Sequence, residues 1–452
     1  MNQQSSSAEQ ALPRSLGLYD VICIIVGIII GSAIYQTPAN IAGMLGSGSL
    51  ILLVWFLGGV LSFIGALCYA ELASTHPKEG GDYFFLHHAF GDWAGFLFAW
   101  GRMWVIHTGN IASMAYIAGI YGSKLYMFPY SQTVYAFLAV IVLTGINCLG
   151  IQQGKWTQNL LTTAKVLGLG GVILVALFVR APQSTEAVAA APETFQMSSF
   201  LLALIFVQFS FGGWSDCAFV AAEMKHPEKN VFRALMGGLA LVTLIYCVIN
   251  AVLLLSLGVK GMADSSGVMA DVLELGLGTT GGRLISALVV ISALGSVNGM
   301  ILVGARIYHA FGRDHSTFHF LGRWNPRTGT PLVSFLVQGV ISIILVLSGR
   351  FESLIIYTAA AHWLFMMMTG LALIVFRRWE PHIERPYKAP LYPLIPIIYI
   401  SSCGLLFQSS LTYANSITPY GGLIGFGIVL AGLPFYWISN RWRGSARGAE
   451  IQ

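Results

Sequence analysis

Two charged side chains lie inside long apolar stretches of the sequence. Lys165 is deep within one apolar run, and Asp216 follows the glycine-containing segment 209–214 in another. A charge at the centre of a membrane helix costs about 2.5–3.5 kcal/mol on insertion scales, so such residues pair with other groups or mark a functional site. We therefore treat both as candidate functional residues, with pairing of the Lys165 ammonium to backbone carbonyls as its simplest structural role.

Asp216 has several interpretations. Its carboxylate could read the charge of a bound solute, carry a proton, pair with Arg102 or cap a helix. His107 and His362 could also carry a proton near neutral pH. Each histidine stands alone on its helix, and this spacing predicts no metal site.

A second kind of chemistry comes from the backbone. Residues 27–38 and 209–216 place glycine, serine or proline within apolar runs, the first of which is long enough to cross a bilayer. Each backbone N–H or C=O group that an unwound helix exposes to hydrocarbon costs several kcal/mol, unless the group faces other protein groups or a polar cavity. We interpret the two breaks as halves of one site. The small polar face around Ser292 and Ser296 suits close helix packing or contact with a solute.

Membrane-spanning helices must position these groups. The chain is 56% hydrophobic and 10% charged, whereas soluble domains carry roughly 25% charged residues. This composition predicts an all-α polytopic membrane protein with twelve transmembrane helices and no soluble domain. The expected spans begin near residues 18, 50, 93, 132, 157, 199, 232, 282, 331, 354, 394 and 421.

The two breaks fall in the first and sixth expected spans. Broken helices at matching places in two halves indicate inverted repeats with a binding site between them. The predicted divisions are a disordered cytoplasmic tail (1–15), a first repeat of five helices (16–180), an external loop (181–198), a second repeat of five helices (199–377), helices 11 and 12 (378–440) and a cytoplasmic tail (441–452).

The basic residues predict the orientation. Most of the 24 Lys and Arg residues fall in loops on the side of the two termini, which the positive-inside rule assigns to the cytoplasm. We expect a multi-pass protein of the cell membrane without a cleaved signal peptide. The net charge of +5 then reflects topology rather than nucleic-acid binding. The six cysteines offer no disulfide framework. No cofactor is predicted, and the lack of enzyme motifs argues against catalysis.

Four separated motifs resemble a known family. They are the segments 30–34, 211–214, 222–230 and 385–390. In this order they resemble the amino acid–polyamine–organocation superfamily, and within it the L-type amino acid transporter branch of prokaryotic type. The resemblance runs from about Leu16 to the twelfth span. It implies the leucine-transporter fold, with helices 1 and 6 unwound at the midplane, and sodium-independent exchange of neutral L-amino acids by alternating access.

The resemblance also implies a substrate site. The substrate carboxylate would meet the amides of Gly31, Ser32 and Ala33 at the start of the outer half of helix 1, where a helix N-terminus offers free N–H groups and partial positive charge. The ammonium would face carbonyls at the inner half of helix 1 and in helix 6. Phe209 would be the external gate. The expected substrate-binding residues are Ile28, Ile29, Gly31, Ser32, Ala33, Ile106, Asn110, Phe209, Phe211, Gly212, Trp214, Ser215 and His362.

Three positions depart from the family pattern. Ala33 stands where glycine is usual and is expected to favour small substrates, His362 replaces an asparagine of some relatives, and Asp216 is unexpected. Lys165 matches the family lysine that occupies the place of a metal ion in sodium-coupled relatives. Its ammonium would link helices 1, 5 and 8.

Other functions stay open at this level. A proton-coupled symporter could use Asp216, His107 or His362, and a cationic amino acid antiporter could use Asp216. A channel or an amino acid sensor is less favoured, because matched broken helices indicate alternating access. Eukaryotic members of the branch pair with a glycoprotein through a cysteine between helices 3 and 4. The corresponding loop, 123–131, has no cysteine, so no disulfide-linked subunit is expected; the partners are an amino acid and the lipid bilayer.

Overall fold

The computed structural model describes residues 14–179, 195–349 and 351–439, and helices dominate this part of the chain. The predicted tails beyond residues 14 and 439, and most of the predicted external loop, lie outside the described residues. The α-helices are α1 Leu18–Ile29, α2 Ala33–Leu45, α3 Gly48–Thr75, α4 Asp82–Phe90, α5 Asp92–Gly101, α6 His107–Leu125, α7 Ser131–Leu149, α8 Ile151–Phe178, α9 Met197–Ser210, α10 Pro227–Ala263, α11 Val268–Leu277, α12 Thr279–Asp314, α13 Leu332–Ser348, α14 Phe351–Trp379, α15 Leu394–Ile417 and α16 Gly421–Leu430.

Membrane-length helices confirm the predicted class, an all-α polytopic membrane protein. Within the described ranges, nine helical segments are long and apolar enough to span a bilayer, or ten if the bent pair α1 and α2 counts as one span. The third expected span runs through α5, a π-helical turn at Arg102–Ile106 and α6. The ninth, α13, is an apolar helix of 17 residues. The count of twelve spans and the inverted repeat stay predictions.

Some boundaries differ from those expected. Helix α9 begins at Met197, inside the segment predicted as an external loop, and α14 continues to Trp379. The short helices α4 and α11 were not predicted. Each lies in a connection between two expected spans and is too short to be recognised as a membrane span. Gly81 and Gly91, both with positive φ, bracket α4. Glycine adopts this backbone region without steric strain, so the two residues set the limits of the helix.

The two predicted breaks differ in geometry. Between α1 and α2 the chain leaves helical geometry at residues 30–32, and the axes of the two helices differ by 47°. After α9 ends at Ser210, a turn with Gly213 at φ 103° leads into a 3₁₀ helix at Trp214–Glu223. The second break therefore changes the type of helix, from α to 3₁₀.

A buried ion pair fixes the far end of the 3₁₀ helix. The Arg306 guanidinium of α12 donates from Nε and Nη2 to the two carboxylate oxygens of Glu223, at 2.7 and 3.0 Å. Both side chains are almost completely buried. A two-point arginine–carboxylate pair sets orientation as well as distance, so the segment following the second break is held against α12.

Candidate substrate cavity

A cavity of about 320 Å³ lies where the two breaks meet. This volume is at the lower end of the range for small-molecule sites. Walls come from both broken segments and from α6, α12 and α14, together with the π-helical turn. Of the residues singled out in the sequence, the cavity brings together Ile28, Ile29, Gly31, Ser32, Ala33, Ile106, Asn110, Phe209, Gly212, Ser215, Asp216, Ser296 and His362.

Two expected aromatic site residues lie elsewhere. The Phe211 ring is fully buried against Tyr246, with ring centroids 5.1 Å apart. Trp214 packs edge-on against Tyr69 at 5.1 Å. The residues flank the glycine turn, and their side chains leave it toward these aromatic neighbours rather than into the cavity. The prediction that both line the substrate site therefore does not fit the geometry.

Several cavity residues were not predicted as lining. The signal for most of them was helical spacing, because residues three or four apart share a helix face. Ser113 and Met114 follow Asn110 by three and four positions, and Met300 follows Ser296 by four. The same reasoning could have found Ala359, three positions before His362. The remaining residues of this group are Arg102, Gly213 and Trp363.

Main-chain donors are available at the first break. The Gly31 N–H donates to the Ile29 carbonyl at 2.8 Å, so this amide is already engaged. By contrast, the N–H groups of Ser32 and Ala33 make no backbone hydrogen bond to the described residues. They lie at the N-terminus of α2, where the helix dipole favours an anion. Of the three amides expected to meet a carboxylate, two are therefore free.

Main-chain acceptors lie close by. The Ile29 carbonyl, at the end of α1, accepts from Gly31 N–H and from the Tyr246 hydroxyl. The carbonyl of Ile28 lies 3.4 Å from Ser296 Oγ, whose single hydrogen is better placed for the Gly27 carbonyl at 2.9 Å. No described donor reaches the Gly212 carbonyl. The ends of α1 and of α9 thus present carbonyl oxygens with spare capacity beside the cavity.

Lys165 lies behind the first break rather than in the cavity. Its fully buried ammonium donates to three carbonyls, those of Gly27, Ile30 and Ser292, each at 2.8 Å. Ser296 Oγ also donates to the Gly27 carbonyl, at 2.9 Å. One ammonium therefore joins α8, the broken segment and α12.

Ser292, expected either in close helix packing or in contact with a solute, takes part in this arrangement and not in the cavity wall. Its hydroxyl is hydrogen-bonded to the Tyr35 hydroxyl of α2 at 2.6 Å. Its carbonyl accepts from Lys165. The residue connects α2 and α12 on both sides of the break.

A charged cluster forms another wall of the cavity. Arg102 Nη2 lies 3.3 Å from Asp216 Oδ1, and Arg102 Nη1 lies 3.2 Å from His107 Nδ1. His107 Nε2 lies 2.8 Å from the Met300 carbonyl. A carbonyl can only accept, so Nε2 carries the proton and Nδ1 accepts from Arg102. His107 is therefore neutral in this arrangement, and Asp216 is the partner of Arg102.

An aromatic pair lies at the rim of the cavity. The rings of Phe209 and Trp363 meet edge-to-face with centroids 5.9 Å apart, and Phe209 is 46% exposed. His362 packs beside Trp363 at 5.3 Å. The contact joins α9 to α14 across the cavity, at the residue expected to act as a gate.

A cavity enclosed by two broken helices, within a bundle of membrane-length helices, is the arrangement of a membrane transporter. Comparison with known proteins bears this out, since the model of the amino acid permease family matches residues 16–434. The chain belongs to the amino acid permease family. This membership confirms the resemblance drawn from the four sequence motifs, and it makes the protein a transporter rather than an enzyme.

Three relatives illustrate the family. The chain is 31% identical over 450 residues to the large neutral amino acids transporter small subunit 2 of Mus musculus, covering 96% of this chain and 82% of that protein. It is 29% identical over 433 residues to the serine/threonine exchanger SteT of Bacillus subtilis (strain 168), covering 95% and 97%. It is 30% identical over 456 residues to the Asc-type amino acid transporter 1 of Mus musculus, covering 97% and 83%.

Proposed function

We propose that the protein exchanges small neutral L-amino acids across the membrane, without sodium, by alternating access. The observation that carries the proposal is the cavity between the N-terminus of α2 and the C-terminal ends of α1 and α9. Partial positive and partial negative ends of helices face one enclosed volume there. An α-amino acid carries one carboxylate and one ammonium on the same carbon, which suits this arrangement.

Main-chain groups would bind the α-carboxylate and α-ammonium, which all amino acids share. The substrate carboxylate accepts hydrogen bonds from the N–H groups of Ser32 and Ala33, while the ammonium donates to the carbonyls of Ile28 and Gly212. Side chains on the other walls then select the substrate. The Ala33 methyl narrows the carboxylate end of the cavity, in support of small substrates.

Lys165 supports sodium independence. Its ammonium is held by three carbonyls, which is a coordination that a bound cation would otherwise receive. A permanently attached charge at this place stabilises the broken segment without an ion from solution. Transport then needs no sodium gradient.

Two alternatives find less support in the cavity. A proton-coupled symporter needs a side chain that gains and loses a proton, and one of its three candidates, His107, is held in its neutral form by two hydrogen bonds. A cationic antiporter needs an unpaired carboxylate, whereas Asp216 is paired with Arg102. The names of the relatives, among them a large neutral amino acids transporter and a serine/threonine exchanger, agree with neutral substrates.

The proposal includes a cell-membrane location with both termini cytoplasmic, supported by the distribution of basic residues. It also includes transport without a disulfide-linked subunit, supported by the lack of cysteine in the loop 123–131. Phe209 and Trp363 would close the cavity to the outside.

The test is uptake of labelled L-alanine or L-serine by proteoliposomes. Internal unlabelled L-alanine should stimulate uptake several-fold over empty vesicles, equally in sodium and choline buffers, with protein-free vesicles as control. Uptake into empty vesicles that follows an imposed pH gradient would identify a symporter instead. Uptake that requires sodium would contradict the role given to Lys165.

A further inference from the structure

Asp216 has one carboxylate oxygen that the protein does not use. The residue lines the cavity and is 5% exposed. Its Oδ1 accepts from Arg102 Nη2 at 3.3 Å, whereas no described residue donates a hydrogen bond to Oδ2. Oδ2 is not sealed inside the protein but has accessible surface on the cavity side, and hydrogen bonds to charged groups are among the stronger ones. The cavity is therefore the place from which a donor can reach it.

Arg102 cannot turn to supply the missing hydrogen bond without losing its own contacts. Its guanidinium lies over the rings of Phe98 and Phe219, at 5.3 and 5.1 Å from their centroids. Nη1 is engaged with His107 Nδ1. The cation thus balances the charge of Asp216 from one side and leaves Oδ2 to another donor.

We propose that Asp216 determines substrate specificity by accepting, at Oδ2, a hydrogen bond from an uncharged donor on the substrate side chain. The site then prefers small amino acids with a hydroxyl or carboxamide group over apolar ones of the same size. This inference rests on the proposed function, since it names the class of amino acid within the neutral set.

The electrostatics select against charged side chains. Arg102 already neutralises Asp216, so a substrate cation entering the same wall would meet the repulsion of the guanidinium. A substrate carboxylate would face Oδ2 directly and be repelled. An apolar side chain would cover Oδ2 without pairing it, which leaves a buried polar group unsatisfied.

Isosteric pairs of competitors test the proposal on the wild-type protein. Threonine and valine have nearly the same shape, and serine differs from alanine by one hydroxyl. In exchange assays with labelled L-alanine, threonine should inhibit at roughly 10- to 100-fold lower concentration than valine, as expected for one hydrogen bond to a charged acceptor. Unlabelled serine should likewise inhibit at a lower concentration than unlabelled L-alanine. Lysine should be the weakest inhibitor of the set.

Variants locate the preference. Asp216→Asn should reduce the threonine-to-valine ratio to within about threefold, because a neutral amide oxygen is the weaker acceptor. The double variant Arg102→Gln/Asp216→Asn removes both charges and should give the same flattened ratio. Asp264→Asn, at the exposed end of α10, is the matched control and should keep the wild-type ratio.

The outcomes are separable. Three results would each overturn the proposal. They are equal inhibition by threonine and valine in the wild type, stronger inhibition by lysine than by threonine, and a threonine-to-valine ratio in Asp216→Asn that equals that of the wild type. If a variant fails to insert into membranes, the wild-type competition alone decides. Failure of every amino acid to exchange would instead contradict the proposed function.

Discussion

The two helix breaks both line the cavity, but different interactions stabilise them. Buried polar groups hold the break between α1 and α2, with Lys165 donating to three carbonyls and Ser296 donating to one of the same three. Aromatic packing holds the break after α9, where Phe211 and Trp214 lie against neighbouring rings. Hydrogen bonds fix distance and direction, whereas edge-to-face ring pairs are favourable over a wider range of separations, about 4.5–7 Å between centroids.

This difference assigns separate tasks to the two halves of the site. The polar break keeps the amides of Ser32 and Ala33 in place for a carboxylate. The aromatic break positions the turn at Gly212 and Gly213, where no described donor reaches the Gly212 carbonyl. Tyr246 lies between them, because its hydroxyl is within 3.2 Å of the Ile29 carbonyl and 3.1 Å of the Ser210 carbonyl.

The largest effect is expected from Lys165→Ala. Three charge-assisted hydrogen bonds disappear and leave buried carbonyls unpaired, which should lower the exchange rate by at least about 100-fold. Initial rates in proteoliposomes measure this, with Lys229→Ala at an exposed site as control. The variant should not become sodium-dependent, and a wild-type rate would refute the polar tie at the first break.

Gly213→Ala should have the next largest effect, because Gly213 is where the two breaks touch. A Cβ atom there would lie 2.5 Å from Ile28 Cγ2, and φ is 103°. The added strain, about 1–3 kcal/mol for such a backbone position, should reduce exchange by roughly 10- to 100-fold. The control is Gly171→Ala in α8, where no atom lies within 4 Å of the added methyl; equal losses in both would contradict the contact.

Phe211→Ala tests whether this ring contributes to packing, measured by the melting temperature, or to substrate binding, measured by KM. Removal of a fully buried ring destabilises by about 3–5 kcal/mol, so the melting temperature of the purified protein should fall clearly. Phe209→Ala, at the exposed rim, should instead raise KM with little change in melting temperature. If Phe211→Ala changed KM and left the melting temperature alone, the ring would belong to the site after all.

Tyr246→Phe is the mildest test of the connection between the breaks. The ring and its aromatic contacts stay, and only the hydroxyl is lost, at a cost of about 1 kcal/mol. A small drop in melting temperature with a measurable slowing of exchange is expected. If Tyr246→Phe lowered the melting temperature more than Phe211→Ala, hydrogen bonding rather than aromatic packing would be the main interaction at the second break.

The sequence predicted the positions of the breaks and of the buried cation because these residues conflict with their surroundings. Glycine, serine and lysine are poor choices for a continuous apolar helix in a bilayer, and Gly31, Gly213 and Lys165 lie at or beside the breaks. The direction of side chains was harder to predict. Phe211 and Trp214 pack against Tyr246 and Tyr69 outside the cavity, and the sequence does not specify these tertiary contacts.

The charged wall was hard to predict for a related reason. The sequence placed Arg102, His107 and Asp216 among the candidates, but four interpretations of Asp216 stayed open. Their distances depend on how the π-helical turn, α6 and the 3₁₀ helix pack, which is a tertiary property. The free amides at Ser32 and Ala33, and the engaged one at Gly31, likewise depend on the local path of the chain.

The π-helical turn at Arg102–Ile106 has a consequence for insertions and deletions. Such a turn accommodates one residue more than an α-helix would, and it lies between the charged wall and the face with Asn110. Removal of one residue, such as Val105, would let the helix run on as a regular α-helix. Because the turn already takes up the extra residue, the two sides of the helix would keep their relative orientation. The same deletion between His107 and Asn110, in the regular helix α6, would instead rotate the two sides by about 100° relative to each other, so Arg102 and Asn110 could no longer face the same cavity.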